Sequence, residues 1–399
     1  MSLPLIVLFV SACVHLSSYV LLACRVEPFM YQFYMVAWWS YIVGLDAALA
    51  LKNRRFLILN RTLPFLIVIS SAFWCVFELI NLRIQNWYYI NVPSSVLIRF
   101  PGYLLAYGTV IPGLYITKEA FSELLGSIRV RPLSFHVPPR YSMLFGVLLF
   151  PVFMLFPAHC FFLAWLFLIP ILEGYNQSKG YWCFTKDLQE GEAGNLIASA
   201  LAGLFCGFLW ETWNYWAIAK WVYTVPFFES FKLFEMPAPG YLGFILFSLE
   251  TMLFLALIRP NLSMRRHEAA IIAAALAFSC MSFAAIDRYT VFSFTDTIDQ
   301  LNFLPVSKRE ELKSQHVKTS FAIDPQELTS GERKTLALLH LKGLGMANVE
   351  KLRKAGIESV PQLARMTEEE LSTVIGEKNR QRLRVYVRAA RDYLPQSSY

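Results

Sequence analysis

Polar and apolar positions are strongly segregated along the chain. Long apolar runs, separated by short polar stretches, cover about 3–24, 33–51, 63–82, 103–117, 142–172, 195–219, 241–258 and 269–286. Each reaches or approaches the ~20 residues an α-helix needs to cross ~30 Å of hydrocarbon. The run 142–172 is too long for one simple span and carries Pro151, Pro157 and Pro170. It is either one kinked helix or a tight pair of short helices broken near Pro157, because proline removes a backbone donor and clashes with the preceding turn. The pattern predicts an all-α fold, a polytopic helical membrane bundle of eight or nine spans. Segments 84–100 and 217–238 are rich in Trp and Tyr but too polar for a free span. They are expected to be interfacial or re-entrant, with rings buried and polar edges hydrated. After about residue 287 the pattern changes: 291–330 reads as a mixed-charge juxtamembrane linker and 331–399 as a small soluble helical domain.

The polar residues inside the apolar part recur in register. Phe77-Glu78-Leu79-Ile80-Asn81, Trp87-Tyr88-Tyr89, Pro93 and Pro101-Gly102-Tyr103-Leu104 are followed later by Trp210-Glu211-Thr212-Trp213-Asn214, Trp221-Val222-Tyr223, Pro226 and Pro239-Gly240-Tyr241-Leu242. Glu to Asn is three residues in both copies, and Glu to Pro is fifteen. Ala37-Trp38 with Asp46 likewise matches Ala164-Trp165 with Glu173. Apolar runs resemble one another by composition alone, but acids and amides are costly at membrane depth, so their return in register predicts an internal duplication. The expected units are 1–125 and 140–260, joined by a basic linker, with 261–290 an added helix whose Ser279 and Ser282 allow close packing. Superposing 33–117 on 161–258 is expected to bring Glu78 onto Glu211, Asn81 onto Asn214 and Tyr103 onto Tyr241.

Composition agrees with this picture: 56% of the 399 residues are hydrophobic and 16% aromatic. None of the seven cysteines shows the CxxC spacing of a zinc or redox site. No basic residue precedes Cys24, so 3–24 reads as a plain transmembrane helix and not as a cleaved leader. Basic residues gather in 52–61, 118–140 and 259–267. By the positive-inside rule the first two place the amino terminus in the cytoplasm, in the expected setting of a bacterial inner membrane. The third loop is cytoplasmic only if 142–172 crosses twice, which would put the tail outside; a single crossing would put the tail inside.

Glu78 and Asn81 lie three apart on a helix and share a face, as do Glu211 and Asn214. A carboxyl at that depth is expected to face the bundle interior with a polar partner. Two readings stay open. The pairs are glue between helices, duplicated with the fold, or they are acid–base groups and orienters of a ligand site walled by Trp87, Tyr89, Trp213, Trp221 and Tyr223, with Glu250 nearby. Histidine clusters, Asp-rich metal motifs, a Walker loop and GxSxG are all missing from the sequence, so no metal and no cofactor is expected. Acid–base chemistry on an apolar ligand remains.

Two resemblances bear on function. Trp210-Glu211, Asn214, Trp221-Val222-Tyr223, Gly240-Tyr241 and Leu249-Glu250 loosely resemble membrane proteins of the lycopene-cyclase type. That implies an isoprenoid-like substrate, protonated by an acid and steadied by aromatic faces. A Glu stands where that family has Asp, and its terminal Glu-Glu is Leu249-Glu250-Thr251 here. In the tail, Leu341-Lys342-Gly343-Leu344-Gly345 and Leu352, followed by Ala355-Gly356-Ile357 and Glu368-Glu369-Glu370-Leu371, resemble the helix-hairpin-helix family. The resemblance implies a Gly-Leu-Gly turn whose amides can hold phosphate. Arg380, Arg384, Arg388 and Arg391 form a basic stripe on the last helix, and 331–399 holds thirteen Lys/Arg against eight Asp/Glu, a net +5. The expected partners are therefore the bilayer, an apolar lipid, and nucleic acid or protein at the tail. The alternative to an enzyme or carrier is a non-enzymatic anchor or scaffold that works through that tail.

Overall fold

The computed structural model describes residues 2–225, 231–258 and 265–394. Pro226 of the second copy, Arg259 of the third basic loop and the last five residues of the tail lie outside the described residues. The membrane part runs α1 (Leu3–Ala23), α2 (Phe29–Asn53), α3 (Leu63–Ile84), β1 (Trp87–Ile90), α4 (Val96–Tyr107) and α5 (Val110–Leu125). It continues through α6 (Pro139–Leu155), α7 (Pro157–Cys160), a 3-10 turn Phe161–Trp165, α8 (Leu168–Lys179), α9 (Phe184–Gln189), α10 (Gly194–Trp216) and β2 (Lys220–Tyr223). A two-residue hairpin, β3 (Lys232–Leu233) and β4 (Met236–Pro237), precedes α11 (Tyr241–Ile258) and α12 (Arg265–Tyr289). Seven described helical stretches are long and apolar enough to cross a membrane, and α6 is apolar but shorter.

Two apolar runs break, each for a local reason. The run 103–117 is divided between α4 and α5. The Ser70 hydroxyl of α3 donates to the Tyr107 carbonyl at 2.7 Å and accepts from the Ile111 amide at 3.0 Å, replacing helical bonds lost at the break. The run 142–172 is the tight pair, not the kinked helix: α6 ends before Pro157, and α8 returns beside it. Gly146 and Gly174 make this approach possible, since a Cβ at either would lie 2.5 Å from a carbonyl oxygen, of Phe167 and Pro139 respectively.

Polar contacts define the two ends of the bundle. At one end Glu123 of α5 meets Lys52 and Asn53 at the end of α2. Arg129 pairs with Glu192 at 2.8 Å beside the start of α10. Asp46 accepts the amides of Leu57, Ile58 and Leu59 at 2.7–3.0 Å, and Glu173 accepts those of Phe184 and Thr185. Both acids therefore tie down the turn that follows their helix, eleven to thirteen residues on. At the opposite end lie β1, β2 and the tail. Arg99 of α4 forks onto Asp287 of α12 at 2.5–3.0 Å there.

The tail departs from the expected linker-plus-domain arrangement. Its helices are α13 (Val306–Ser314), α14 (Ser330–Leu339), α15 (Gly345–Lys354), α16 (Val360–Ala364), α17 (Glu368–Ile375) and α18 (Arg380–Tyr393). Ile298, Leu301, Leu304, Leu312 and Leu328 join Leu341, Leu344, Leu352, Leu363 and Leu371 in one core, with Ile357 partly buried against it. Residues 291–330 are thus folded, because their few leucines and isoleucines bury on the tail. Capping boxes at Thr329 and Thr367 start α14 and α17.

Candidate functional site

β1 and β2 pair antiparallel, Trp87 to Tyr223, Tyr88 to Val222 and Tyr89 to Trp221. This register is symmetric about Tyr88–Val222 when Trp87-x-Tyr89 is matched with Trp221-x-Tyr223. Residues 290–295 add along the other edge of β1, with Tyr89 N to Thr290 O at 2.8 Å and Phe292 N to Tyr89 O at 2.9 Å. The result is a small platform across the end of the bundle. Alternation along a strand sends successive side chains to opposite faces. Trp87, Tyr89, Trp221 and Tyr223 line a cavity within the bundle, and Tyr88, Ile90 and Val222 form a separate cluster with Phe292 and Val385 on the tail side. The Trp-x-Tyr segments are strands at the end of the bundle, and their two-residue spacing aims both rings inward.

The cavity measures about 990 Å³, at the top of the ~300–1,000 Å³ range of small-molecule sites. Its wall also includes Tyr34, Trp74, Tyr107, Trp165, Trp210 and Phe247. Rings from the two occurrences of the motif interlock. Trp38 packs on Trp210 with centroids 5.3 Å apart, and the matching residues Trp165 and Phe77 stack at 5.4 Å. The spaced Ala-Trp match was the sequence signal for this pair.

Glu78 and Glu211 are fully buried, but they stand behind the wall and not on it. Glu78 Oε1 accepts from Tyr89 Oη at 2.5 Å, Trp74 Nε1 at 2.7 Å and Trp87 Nε1 at 3.2 Å. Glu211 Oε1 accepts from Tyr223 Oη at 2.8 Å. The second oxygen of each carboxyl is buried with no hydrogen-bond partner among the described residues. Asn81 donates to the Trp87 carbonyl at 2.8 Å and accepts the Trp87 amide at 3.3 Å; Asn214 does both with Trp221 at 3.0 Å. In each Glu/Asn pair the Asn fixes the start of the strand and the Glu fixes the ring of its Tyr.

Two residues expected at the site sit elsewhere. Trp213 faces α1 and α2: it donates to Tyr19 Oη at 2.7 Å and packs edge-on against Trp38. It lies three residues after Trp210, close to one helical turn, yet the wall of the cavity is supplied by Trp210. Glu250 is buried and accepts the Leu168 amide at 3.3 Å beside the end of the 3-10 turn, away from the lining.

The tail is seated on the outer face of the platform. Gly343 and Gly345 adopt φ of +78° and +71° at the turn between α14 and α15, which favours glycine. A Cβ on Gly343 would lie 2.4 Å from Ile90 Cγ2. Tyr386 Oη donates to the Gly343 carbonyl at 3.1 Å, Lys342 pairs with Glu235 at 2.8 Å, and Asn379 donates to Gln85 at 3.0 Å. Glu27 and Tyr31 bond Thr319, and Phe321 stacks on His340 with centroids 4.2 Å apart. Burial lowers the His340 imidazole to about 4, helped by nearby Arg25. The glycine turn is thus covered by the chain's own strand. Arg380, Arg384, Arg388 and Arg391 are exposed on α18, on the face opposite Tyr386 at ~100° per residue. Arg384 meets Glu368 at 3.2 Å and Arg391 donates to the Ala364 carbonyl. The stripe and the turn do not converge on one phosphate.

Residues 335–389 match the family model described as a SAM-like helix-hairpin-helix tandem. No curated protein and no solved structure matches the chain, and nothing in these comparisons supports the lycopene-cyclase likeness. The chain carries membrane-length apolar helices and ends in a helix-hairpin-helix domain, a fold that fits nucleic-acid or protein binding.

Proposed function

We propose that this is an integral membrane protein whose two duplicated halves enclose a binding site for an apolar, isoprenoid-like lipid, as a carrier or a non-redox enzyme. The observation that carries the reading is the aromatic cavity, with Trp87 and Tyr89 from one half facing Trp221 and Tyr223 from the other. The symmetric strand register and the matched Trp38–Trp210 and Trp165–Phe77 stacks support the duplication. In this reading Glu78, Glu211, Asn81 and Asn214 are positioning residues: they hold the wall and do not touch the ligand.

In this reading α4–α5 counts as one passage and α6 and α7–α8 as two, which makes nine passages among the described residues. With the basic loops in the cytoplasm, the amino terminus is cytoplasmic and the tail lies on the other side. The second reading, a scaffold acting through its tail, is favoured by the exposed arginines of α18.

Energy transfer from the cavity tryptophans to an uncharged conjugated polyene such as the methyl ester of parinaric acid tests the cavity reading. Saturable transfer, competed by an unlabelled isoprenoid alcohol, is the expected result. Transfer that rises linearly with probe, as for plain partition into detergent, would exclude it.

A further inference from the structure

The cavity has boundaries of two kinds. Toward the tail it is closed by the hydrogen-bonded platform, and behind the platform the Gly343 turn leaves no room for even a Cβ against Ile90. Along its flank the situation is reversed. Leu97, Ile98 and Leu105 of α4, Phe162 of the 3-10 turn and Leu242 of α11 line the cavity and are also exposed on the outside of the bundle, Leu97 at 87% and Leu242 at 64%. A side chain that belongs to the cavity wall and to the lipid-facing surface marks a place where the two spaces are continuous. These five side chains are apolar, and exposed His159 of α7 is the polar one that joins them on the lining, so a hydrocarbon ligand passes the α4 side without losing hydrogen bonds, whereas a charged one would pay its desolvation there.

We propose that the cavity is loaded sideways from the bilayer, past α4, by an apolar lipid dissolved in the membrane, and that the seated tail keeps the aqueous end shut. This rests on the cavity reading above. Gly102 is the threshold of the route: it lines the cavity on α4 with no atom within 4 Å of where its Cβ would be. A larger residue there obstructs the passage without displacing a neighbour, and it replaces a glycine inside a helix, which favours the fold.

The test uses the full chain in liposomes that contain a long-chain hydrocarbon bearing a diazirine, with adducts mapped by peptide mass spectrometry after illumination. In the wild type, adducts are expected on the 87–90 and 220–223 strands as well as on α4. In Gly102→Phe, and independently in Leu105→Trp, strand adducts fall about tenfold, equivalent to ~1.4 kcal/mol, while adducts on the outer face of α4 persist. Gly343→Val, which unseats the turn, leaves strand labelling at the wild-type level. Strand labelling that ignores both α4 variants and rises in Gly343→Val overturns the sideways route and leaves the cavity reading intact. Strands unlabelled in every variant, the wild type included, overturn the cavity reading and the route with it.

Discussion

Glu78 gathers three donors on one oxygen, whereas among the described residues its counterpart Glu211 draws on Tyr223 first and, more weakly, on Trp221 second. Removing a buried acceptor leaves its donors unsatisfied at ~1–3 kcal/mol each. Glu78→Ala is therefore expected to lose about 3 kcal/mol or more, and Glu211→Ala only ~1–3 kcal/mol. Gln at either site keeps one oxygen acceptor and loses less. Thermal unfolding in detergent measures the order, and equal losses for the two alanines would contradict it. The positions of these acids were legible because a buried carboxyl is expensive and its recurrence is conspicuous. Their role as braces was not legible: it depends on which ring lies across from each oxygen, eleven or twelve residues on, and spacing alone does not give that. Trp213 shows the same limit, since Trp210 and Trp213 are both plausible walls until the helix is placed against its neighbours.

At the scale of elements, the helices follow the apolar runs, and the departures are local. β1 and β2 are four residues each and stand only because they pair with each other and with 290–295, so a hydropathy pattern does not announce them. The Trp-x-Tyr period of two was the available signal. The folded 291–330 segment was hidden for another reason: its apolar residues are sparse and irregular, and it completes a core supplied by the rest of the tail. Because Gly343 is pressed on Ile90, Gly343→Val is expected to loosen the tail from the platform and expose 296–330 to protease, while 290–295 stays paired with β1. A digestion pattern equal to wild type would refute this seat. A pH effect belongs here too. His340 has its folded value lowered from 6.5 to about 4, so its contribution is complete above pH ~6.5 and is lost as pH falls toward ~4. Asp296, raised by burial to about 6, acts oppositely: its contribution is present below its unfolded value of 3.8 and lost as pH rises through 6. Replacing His340 by Phe should therefore reduce the loss of tail stability between pH 6.5 and 4, read by hydrogen exchange on α14 and α15. An unchanged slope would rule the imidazole out as its cause.

For the whole molecule, the α6–α8 hairpin bears on the proposed topology. It brings 118–140 and the start of α10 to the same end as 52–61, away from the tail, which supports the reading that puts the tail outside. The tail carries no cysteine, so Lys378→Cys, an exposed position on it, offers a single tail thiol once Cys13, Cys24 and Cys280 are replaced by serine. Labelling of that thiol by a membrane-impermeant maleimide on intact cells is expected, and labelling only after lysis would place the tail in the cytoplasm. The central claim is that the paired halves hold an apolar ligand between their aromatic walls. Native mass spectrometry of the full chain, released from mild detergent, tests it most directly. The account expects one apolar species per chain, still bound under activation that strips surface phospholipid; a bare protein mass, or only a heterogeneous ladder of phospholipids removed together, would contradict it.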